Sequence, residues 1–448
     1  MFDSLLSIEE LEAGTRRLAR DRRVTVTPVG VSRLGRPIEM ISLGDGTSDA
    51  LIVGVPHPNE PAGAVTVERM IALLLRKPSE RRGYRWHFIK AIDPEGLNLN
   101  RGWLKKRTLT DYLENFFRPA LHRQPETTFP LDIPGIRFEE STPENCAWQQ
   151  AFALTRPRLH ASLHHCDYGG VFYSLSRPLP AAIAGLESLA QSSKLGINDH
   201  DDVMDAEQWT PSVKRYPSVP ELMAKAKARG AAWAYPWTVG DMSPGYGESR
   251  YGSFTLIAEV PLWDSEPLHD SSPSDITHGQ QQVMLGTLTA KARELARSLL
   301  PSLAPVALAP DAKECLWSLE RGLQMMPSAE APGTGQCAQS DRKLSRHDFE
   351  LMHTEQALFA LRTYGLILRL ASLILIDQPA HPGALQAHRE AQDSLKAEMA
   401  VIEARTRFVP VPLEVVTDFQ LQSIFICAEA LTADAKQSGR LTMSPGEI

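Results

Sequence analysis

The residues with the clearest chemical potential are His57 and Glu60, which lie three positions apart in the segment His57-Pro-Asn-Glu60. An imidazole and a carboxylate at this spacing can hold a divalent zinc ion while leaving room for a distant third ligand and for water, as in catalytic zinc sites. The same segment also fits an ordinary strand-to-helix turn with a surface histidine and a capping glutamate. The segment alone therefore predicts half of a metal site without deciding between the two interpretations.

Two elements must position this half-site. The apolar run from Leu51 to Val55 predicts a buried strand that ends at the motif. Pro61 suits the first position of a helix that continues through Ala62 to about Leu75. Glu60 then lies at the start of the helix, where the positive end of the dipole favours the ionised carboxylate that a metal requires.

A third ligand is expected on a later strand, and two adjacent histidines are candidates. The apolar segment 159–166 contains His164 and His165 near its end, and strand ends at one edge of an open α/β sheet converge on a crevice. Side chains alternate along a strand, so His164 shares a face with Ser162 and His165 shares one with Leu163. This alternation does not choose between the two histidines.

Glu259 is a fourth candidate, because it lies inside the apolar strand Phe254 to Leu262. A charge there is costly unless it is solvated or has a partner. A carboxylate beside a zinc-bound water would have such a partner, since it could accept the proton of the water and deliver it to a leaving nitrogen. The other interpretation is a glutamate at a strand edge that faces solvent.

The first 300 residues alternate between strand and helix patterns. Two strands at residues 24–31 and 37–43 predict a hairpin, and a strand, helix and strand between residues 50 and 92 predict an α/β sheet. Residues 97–144 predict a loop region with short helices, and residues 275–300 predict a covering helix.

Beyond residue 303 the patterns become helical. We expect helices at residues 312–325, 346–377, 383–406 and 412–433. The sequence therefore predicts a catalytic domain at 1–303 and a helical domain at 304–448. This helical domain can pack on the catalytic domain, form a homo-oligomer or shield the mouth of the active site, and helical patterning alone supports all three.

Composition excludes several classes of partner. The chain has 448 residues and a formal net charge of -7, which gives no support to a nucleic-acid surface. The five cysteines are scattered without a Cys-x-x-Cys pair, so neither a disulfide framework nor a thiolate zinc site is predicted. The amino terminus does not resemble a secretory signal, and the apolar stretch Leu366 to Ile376 is too short for a membrane span of about 20 residues. We therefore expect a cytoplasmic protein without a membrane partner.

Taken in order, the motifs resemble the zinc metallocarboxypeptidase family of the carboxypeptidase A-like, or funnelin, type. The resemblance covers roughly residues 20–300, and an ordered set of matches is much more specific than any single motif. The matching segments are Gly35-Arg-Pro-Ile38, His57-Pro-Asn-Glu60, Asp93-Pro-Glu-Gly96, Ser162-Leu-His164 and Thr255-Leu-Ile-Ala-Glu259.

The resemblance implies a mixed β-sheet flanked by helices, with the helical region as a C-terminal extension. It implies one zinc ion held by His57, Glu60 and His164, with the alignment through Ser162 favouring His164 over His165. It also implies that Glu259 is the general base and acid.

The substrate side departs from the family pattern. Asn100 and Arg101 look like the family's asparagine and arginine pair, and the resemblance gives Arg101 a catalytic and a substrate-binding role. They follow the preceding turn too closely, as if a segment were deleted, so Arg107 and Arg118 are alternatives for the oxyanion or carboxylate role.

The mobile tyrosine of the family has no clear equivalent. Tyr235, Tyr246 and Tyr251 lie upstream of Glu259, and Tyr246 is assigned to the substrate.

The function implied is that of a zinc-dependent carboxypeptidase, which hydrolyses a C-terminal peptide or related amide bond with a Glu-assisted, zinc-bound water. One alternative is a deacylase of the succinylglutamate or N-acetylaspartate type, which acts on small N-acyl amino acids. Another is an inactive fold relative that serves as a binding module, although retention of Glu259 argues against it. The expected partner is a peptide or an N-acyl amino acid.

Overall fold

The computed structural model describes residues 4–134, 136–199, 206–228, 239–303, 308–325 and 341–441. The strands, in chain order, are β1 Val24–Val31, β2 Pro37–Leu43, β3 Ser48–Gly54, β4 Tyr84–Ile89, β5 Leu131–Ile133, β6 Ile136–Phe138, β7 Leu159–Leu163, β8 Phe172–Leu175, β9 Gln208–Thr210, β10 Val213–Arg215, β11 Phe254–Glu259, β12 Trp263–Asp264, β13 Pro273–Thr277, β14 Lys343–Ser345 and β15 Val409–Pro410.

The α-helices of the described residues are α1 Ile8–Leu18, α2 Ala62–Arg76, α3 Pro94–Leu99, α4 Leu109–Glu114, α5 Pro143–Thr155, α6 Pro180–Ser192, α7 Val219–Ala228, α8 Ser243–Tyr251, α9 His278–Leu303, α10 Pro310–Met325, α11 Arg346–Phe349, α12 Glu355–Asp377, α13 Pro382–Glu403 and α14 Leu413–Leu441. A π-helical turn, Glu350–Thr354, joins α11 to α12.

Nine strands form one mixed sheet in the spatial order β1-β2-β4-β3-β7-β11-β8-β10-β9. The neighbours β4, β3, β7 and β11 run parallel, and antiparallel pairs flank them on both sides. Ser162 of β7 pairs with Val53 of β3 and with Ile257 of β11, so these three strands end at the same edge. The mixed α/β class predicted from the sequence is confirmed, and its central strands place their carboxyl ends together.

Both faces of the central strands are covered, which explains the uninterrupted apolar run before His57. Ala50 and Ile52 of β3 belong to one hydrophobic core, and Leu51 and Val53 belong to the other. Helices α2 and α14 pack on the first face, and α5 and α8 pack on the second. A strand that is buried on two sides shows a continuous apolar sequence in place of alternation.

The predicted C-terminal helices are confirmed. Helices α10 and α13 match their expected ranges within three residues, α11, the π-helical turn and α12 together cover 346–377, and α14 extends eight residues beyond its expected end. Helices on both sides of residue 303 contribute to the same hydrophobic core, since α12 packs against α4, α9 and α13, and α14 packs against α2 and α6. The division into domains 1–303 and 304–448 stays a prediction.

The remaining differences lie in short elements. The expected helix at 275–300 begins at His278, because β13 occupies the preceding residues and pairs with β14. The last three strands on one side of the sheet, β8, β10 and β9, have only three or four residues each, too few to show a periodic pattern.

One helical stretch, Arg346–Asp377, is long and apolar enough to cross a membrane by length and composition. Within its most apolar window, 67% of the residues are buried inside the protein. Mostly buried core helices meet the same length and composition criteria, so these criteria alone do not make the stretch a membrane span.

Candidate metal centre and active site

The chain leaves β3 through a strained turn that sets His57 and Glu60 at the edge of the sheet. Val55 has a φ of 56°, in the left-handed region that β-branched residues rarely adopt. The amide of Glu60 donates to the carbonyl of His57 at 2.9 Å and closes the turn. Helix α2 follows at Ala62, so Pro61 is the residue just before the helix and not its first residue. Such strain tends to occur at functional sites, where surrounding contacts maintain it.

His57, Glu60 and His164 come together across β3 and β7. One ligand atom from each lies within 4.8 Å of the others, and all three residues are buried. His164 Nδ1 is 3.0 Å from Glu60 Oε2, and the two imidazole rings have centroids 4.8 Å apart. The predicted ligands therefore converge, although His164 is more than 100 residues from His57 and Glu60 in sequence.

This cluster fits a metal ion by the state of its donor atoms. Among the described residues, His57 Nδ1 is buried and has no hydrogen-bond partner, and the group facing the buried Glu60 Oε2 is His164 Nδ1 at 3.0 Å. Buried polar atoms usually have partners, and orphaned atoms at functional sites call for a missing one. Two histidines and one glutamate are a donor set of catalytic zinc sites. The three residues could thus hold a divalent ion with an open coordination position.

The electrostatics of His57 and Glu60 favour the forms that bind metal. Burial and the nearby Arg118 guanidinium hold the pKa of His57 well below its usual range. Burial would raise the pKa of Glu60, but His57, His164 and Arg118 hold it well below its usual range. A neutral imidazole and an ionised carboxylate are the forms that coordinate metal.

His164 carries a proton in the metal-free site. Burial opposes its charge, but the carboxylates of Glu60, Glu259 and Glu126 outweigh this effect and raise the pKa of His164 to about 9. The proton adds to the positive charge that Arg118 brings to this acidic site.

A buried polar chain orients the His164 ring. Ser162 Oγ lies 3.0 Å from His164 Nε2 and donates to Glu126 Oε2 at 3.0 Å. Ser243 of α8 donates to the other oxygen of Glu126. This network assigns the His164 Nε2 proton to the bond with Ser162, which leaves Nδ1 directed towards Glu60.

The neighbouring His165 lies outside the cluster. Its Nδ1 is 3.4 Å from the carbonyl oxygen of Cys166, and burial lowers the pKa of His165 to about 4. The two histidines point in different directions, as alternation along an extended segment requires. The geometry therefore brings His164, and not His165, to His57 and Glu60.

Glu259 ends β11 beside the cluster. Its Oε1 lies 3.6 Å from His164 Nδ1, and its side chain retains 17% exposure. Burial raises the pKa of Glu259 to about 7, with His164 opposing the rise and Glu60 adding to it. A carboxylate with a pKa near neutrality, within reach of the open side of the cluster, suits proton transfer.

Arg118 is the cation closest to the ligands among the contacts of the described residues. Its Nη1 donates to Glu60 Oε1 at 2.9 Å, and its side chain is 24% exposed. It was one of two alternatives for the oxyanion or carboxylate role. The other, Arg107, donates to the carbonyl of Val411 and thereby binds the C-terminal region.

The structure does not bring Asn100 and Arg101 to the cluster. Asn100 is fully buried and bonds to Gly96, Trp103 and both backbone groups of Phe117. Arg101 is exposed and donates to Asn98 at 3.3 Å. Asn100 thus has no free hydrogen-bonding group for a substrate, and it holds the backbone next to Arg118. These contacts give no support to either assignment, whereas Arg118 contacts the predicted ligand Glu60.

Tyr246 likewise lies away from the cluster, in the second hydrophobic core. It is 4% exposed, its ring centroid is 4.6 Å from that of Phe129, and it also contacts Phe152 and Tyr251. Burial raises its pKa to about 12. This packing gives no support to the substrate contact assigned to Tyr246, which stays a prediction, and Tyr235 lies outside the described residues.

Sequence reasoning missed four buried polar residues near the cluster. They are Glu126 behind His164, Asp167 three residues after it, Arg362 of α12 and Gln420 of α14. None of the four belongs to a motif. Arg362 and Gln420 lie in a region whose sequence pattern predicts helices and nothing more specific. Buried polar groups of this kind have no signal in a single sequence beyond their polarity in apolar surroundings.

The chain is similar to metallo-carboxypeptidases of known structure. With a metallo-carboxypeptidase from Burkholderia cenocepacia it shares 17% identity at a TM-score of 0.35, over 57% of this chain and 60% of that chain. With carboxypeptidase A from Helicoverpa armigera it shares 15% identity at a TM-score of 0.40, over 58% and 66%. With a metallo-carboxypeptidase from Pseudomonas aeruginosa it shares 17% identity at a TM-score of 0.33, over 57% and 60%.

These structures bear the name of the family that the sequence motifs resemble, and the chain spans about 60% of the length of the two bacterial ones. No family model matches the sequence, and no curated protein matches it. At TM-scores of 0.40 or less, the likeness carries no argument about activity. The functional conclusion rests on the geometry of the cluster.

Proposed function

We propose that this protein is a zinc-dependent hydrolase of the carboxypeptidase type, which cleaves a C-terminal peptide bond or a related amide bond. One observation carries the proposal. His57, Glu60 and His164 converge within 4.8 Å at the ends of two parallel strands, and Glu259 ends the next strand 3.6 Å from His164. Three ligands with an open position and an adjacent carboxylate form a hydrolytic set.

His57, Glu60 and His164 are the residues that would hold the ion, and their donor set supports zinc. When bound, such an ion acts as a Lewis acid on a carbonyl oxygen and lowers the pKa of water. His164 must lose its proton on metal binding, because a protonated imidazole has no lone pair to donate. Ser162 and Glu126 then hold the ring by its other nitrogen, so that Nδ1 stays directed at the cluster.

Glu259 performs the proton transfers in this proposal. Its carboxylate accepts a proton from the attacking water and then donates that proton to the nitrogen of the departing amine. The pKa near 7 supports both steps, since the group can give and take a proton near neutral pH. Its partial exposure leaves it accessible to the substrate.

Arg118 supplies positive charge on the substrate side. Its guanidinium donates to Glu60 and keeps several N–H groups for other acceptors. A fixed donor beside a carbonyl oxygen that gains negative charge lowers the barrier of an acyl-transfer reaction. We assign to Arg118 the role that the sequence gave to Arg101.

The expected substrates are peptides with a free C-terminus, and we expect the protein to act in the cytoplasm. The four cysteines among the described residues are free, and two of them, Cys315 and Cys427, are buried in the core. Free cysteines without disulfides support a reducing compartment.

The test is hydrolysis of free-acid peptides, amidated peptides and N-acyl amino acids by the zinc-loaded wild type and by Glu259→Gln. We expect cleavage of free-acid peptides and a loss of about 100- to 10,000-fold in kcat for the variant, with zinc content unchanged. Cleavage of N-acyl amino acids, but of no peptide, would indicate a deacylase and exclude the proposed peptidase. Equal activity of Glu259→Gln and wild type would exclude the proposed proton transfer.

A further inference from the structure

Gln420 is a buried amide in the middle of α14, a helix that no sequence motif connects with the metal centre. Its side chain has 0% exposure. Around it, α14 lies against α2, β7 and β11, the elements that carry or adjoin the cluster. A buried primary amide is costly unless its donor and acceptor are both satisfied.

The two ends of the Gln420 amide bind the two elements that carry the metal ligands. Its Nε2 donates to the carbonyl oxygen of His164 at 2.6 Å. Its Oε1 accepts the hydroxyl proton of Thr66 at 2.5 Å. Thr66 lies in α2, the helix that begins just after Glu60. One side chain of the C-terminal region therefore connects the backbone of one ligand to the helix that follows the other two.

The two elements joined in this way already approach closely. A Cβ atom on Gly63 would lie 2.7 Å from the carbonyl oxygen of Leu163, so glycine is required where the first turn of α2 meets the end of β7. The glycine permits the close approach, but it does not fix the rotation of the His164 peptide group. The bond from Gln420 to the His164 carbonyl fixes that rotation.

We propose that Gln420 is a positioning residue for the metal centre, and that the C-terminal helix α14 sets the position of His164 relative to His57 and Glu60 through it. This inference rests on the metal centre proposed above. It assigns to the C-terminal region a role in the site itself, since α14 provides the contact that fixes the third ligand.

Loss of this contact should appear as weaker metal binding by a folded protein. Removal of an outer partner of a metal ligand typically lowers metal affinity about 10- to 100-fold. In Gln420→Leu the side chain keeps a similar volume, but the His164 carbonyl loses its bond from Gln420 and the Thr66 hydroxyl keeps only its 3.4 Å bond to the Ala62 carbonyl. Thr66→Val removes only the hydroxyl bond, and Thr66→Ser keeps it.

The test is the zinc dissociation constant of each variant, measured by competition with a chromophoric chelator, together with the visible spectrum of the cobalt(II)-loaded protein. We expect about 10- to 100-fold weaker zinc binding and an altered cobalt spectrum for Gln420→Leu. Thr66→Val should shift both in the same direction, and Thr66→Ser should resemble wild type. The Thr66 pair keeps the test decisive if Gln420→Leu does not fold.

Ser423→Ala is the matched control. Ser423 is buried in the same helix and lies 3.2 Å from the hydroxyl of Tyr173, but none of its hydrogen bonds reaches His164. Loss of the Ser423 hydroxyl should lower the stability of the protein without changing its zinc affinity. Wild-type zinc affinity and an unchanged cobalt spectrum in Gln420→Leu and Thr66→Val would overturn this inference but not the proposed metal centre. Absence of zinc binding by the wild type would overturn it together with the proposed metal centre.

Discussion

Replacement of Arg362 by methionine is predicted to destabilise the protein strongly. Arg362 of α12 and Asp167, three residues after His164, form an ion pair at 2.7 Å, and their side chains are only 10% and 5% exposed. The guanidinium also lies over the rings of Phe116 and Phe359, at 5.0 and 4.1 Å from their centroids. In Arg362→Met the hydrophobic stem is largely kept, but the Asp167 carboxylate stays buried without its cation.

The magnitude follows from the separation and the burial. At an effective dielectric constant of about 20, two unit charges 2.7 Å apart attract by about 6 kcal/mol. Desolvation of both groups offsets part of this attraction, and removal of one partner of a buried pair typically costs about 3 to 5 kcal/mol. We therefore expect Arg362→Met to lower the free energy of unfolding by about 3 to 5 kcal/mol.

The assay is equilibrium urea unfolding followed by tryptophan fluorescence, for wild type, Arg362→Met, Asp167→Leu and the double variant. The double variant should be less destabilised than the sum of the single variants, because it leaves no buried charge unpaired. A loss of less than about 1 kcal/mol in the free energy of unfolding for Arg362→Met would contradict this prediction, because exposed ion pairs contribute that little.

Three further predictions concern buried polar groups. Burial and the nearby Asp167 raise the pKa of Glu355 from 4.5 to about 8, so its contribution to stability is full below pH 4.5 and is lost as the pH rises through about 8. The melting temperature of the metal-free protein should thus fall over this range, and Glu355→Gln should reduce the fall; an equal fall in both proteins would contradict the assignment. Asn100→Ala should lower the free energy of unfolding, measured in urea, by about 2 to 3 kcal/mol, because it leaves buried backbone groups unpaired. An unchanged free energy of unfolding would exclude a structural role of Asn100. Glu126→Gln should weaken zinc binding about 10-fold in chelator competition, whereas wild-type affinity would show that Glu126 does not orient His164.

Much of the fold was predictable because its central strands are long, apolar and end in chemically distinctive residues. The run before His57 and the apolar segment before His164 identify buried strands. Parallel neighbours place their carboxyl ends together, which is why His57, His164 and Glu259 could be expected at one edge. The helices after residue 303 were predictable because they are long and periodic.

The substrate side was not predictable, because its residues have partners that are distant in sequence. Asn100 and Arg101 match a local motif, but Asn100 bonds to Phe117 and Arg101 faces solvent. Gln420 reaches His164 across 256 positions, and Arg362 reaches Asp167 across 195. Such contacts depend on how helices dock on the sheet, and helical periodicity does not specify docking.

The metal centre is tested most directly by the zinc content of the purified protein, measured by elemental mass spectrometry for wild type, His164→Ala and His165→Ala. His165 is the matched control, because it is adjacent and buried but lies outside the cluster. We predict one zinc per chain in the wild type, retention of zinc in His165→Ala and loss of zinc in His164→Ala. A wild type without stoichiometric metal would contradict the proposed metal centre, and so would zinc that survives His164→Ala but is lost in His165→Ala.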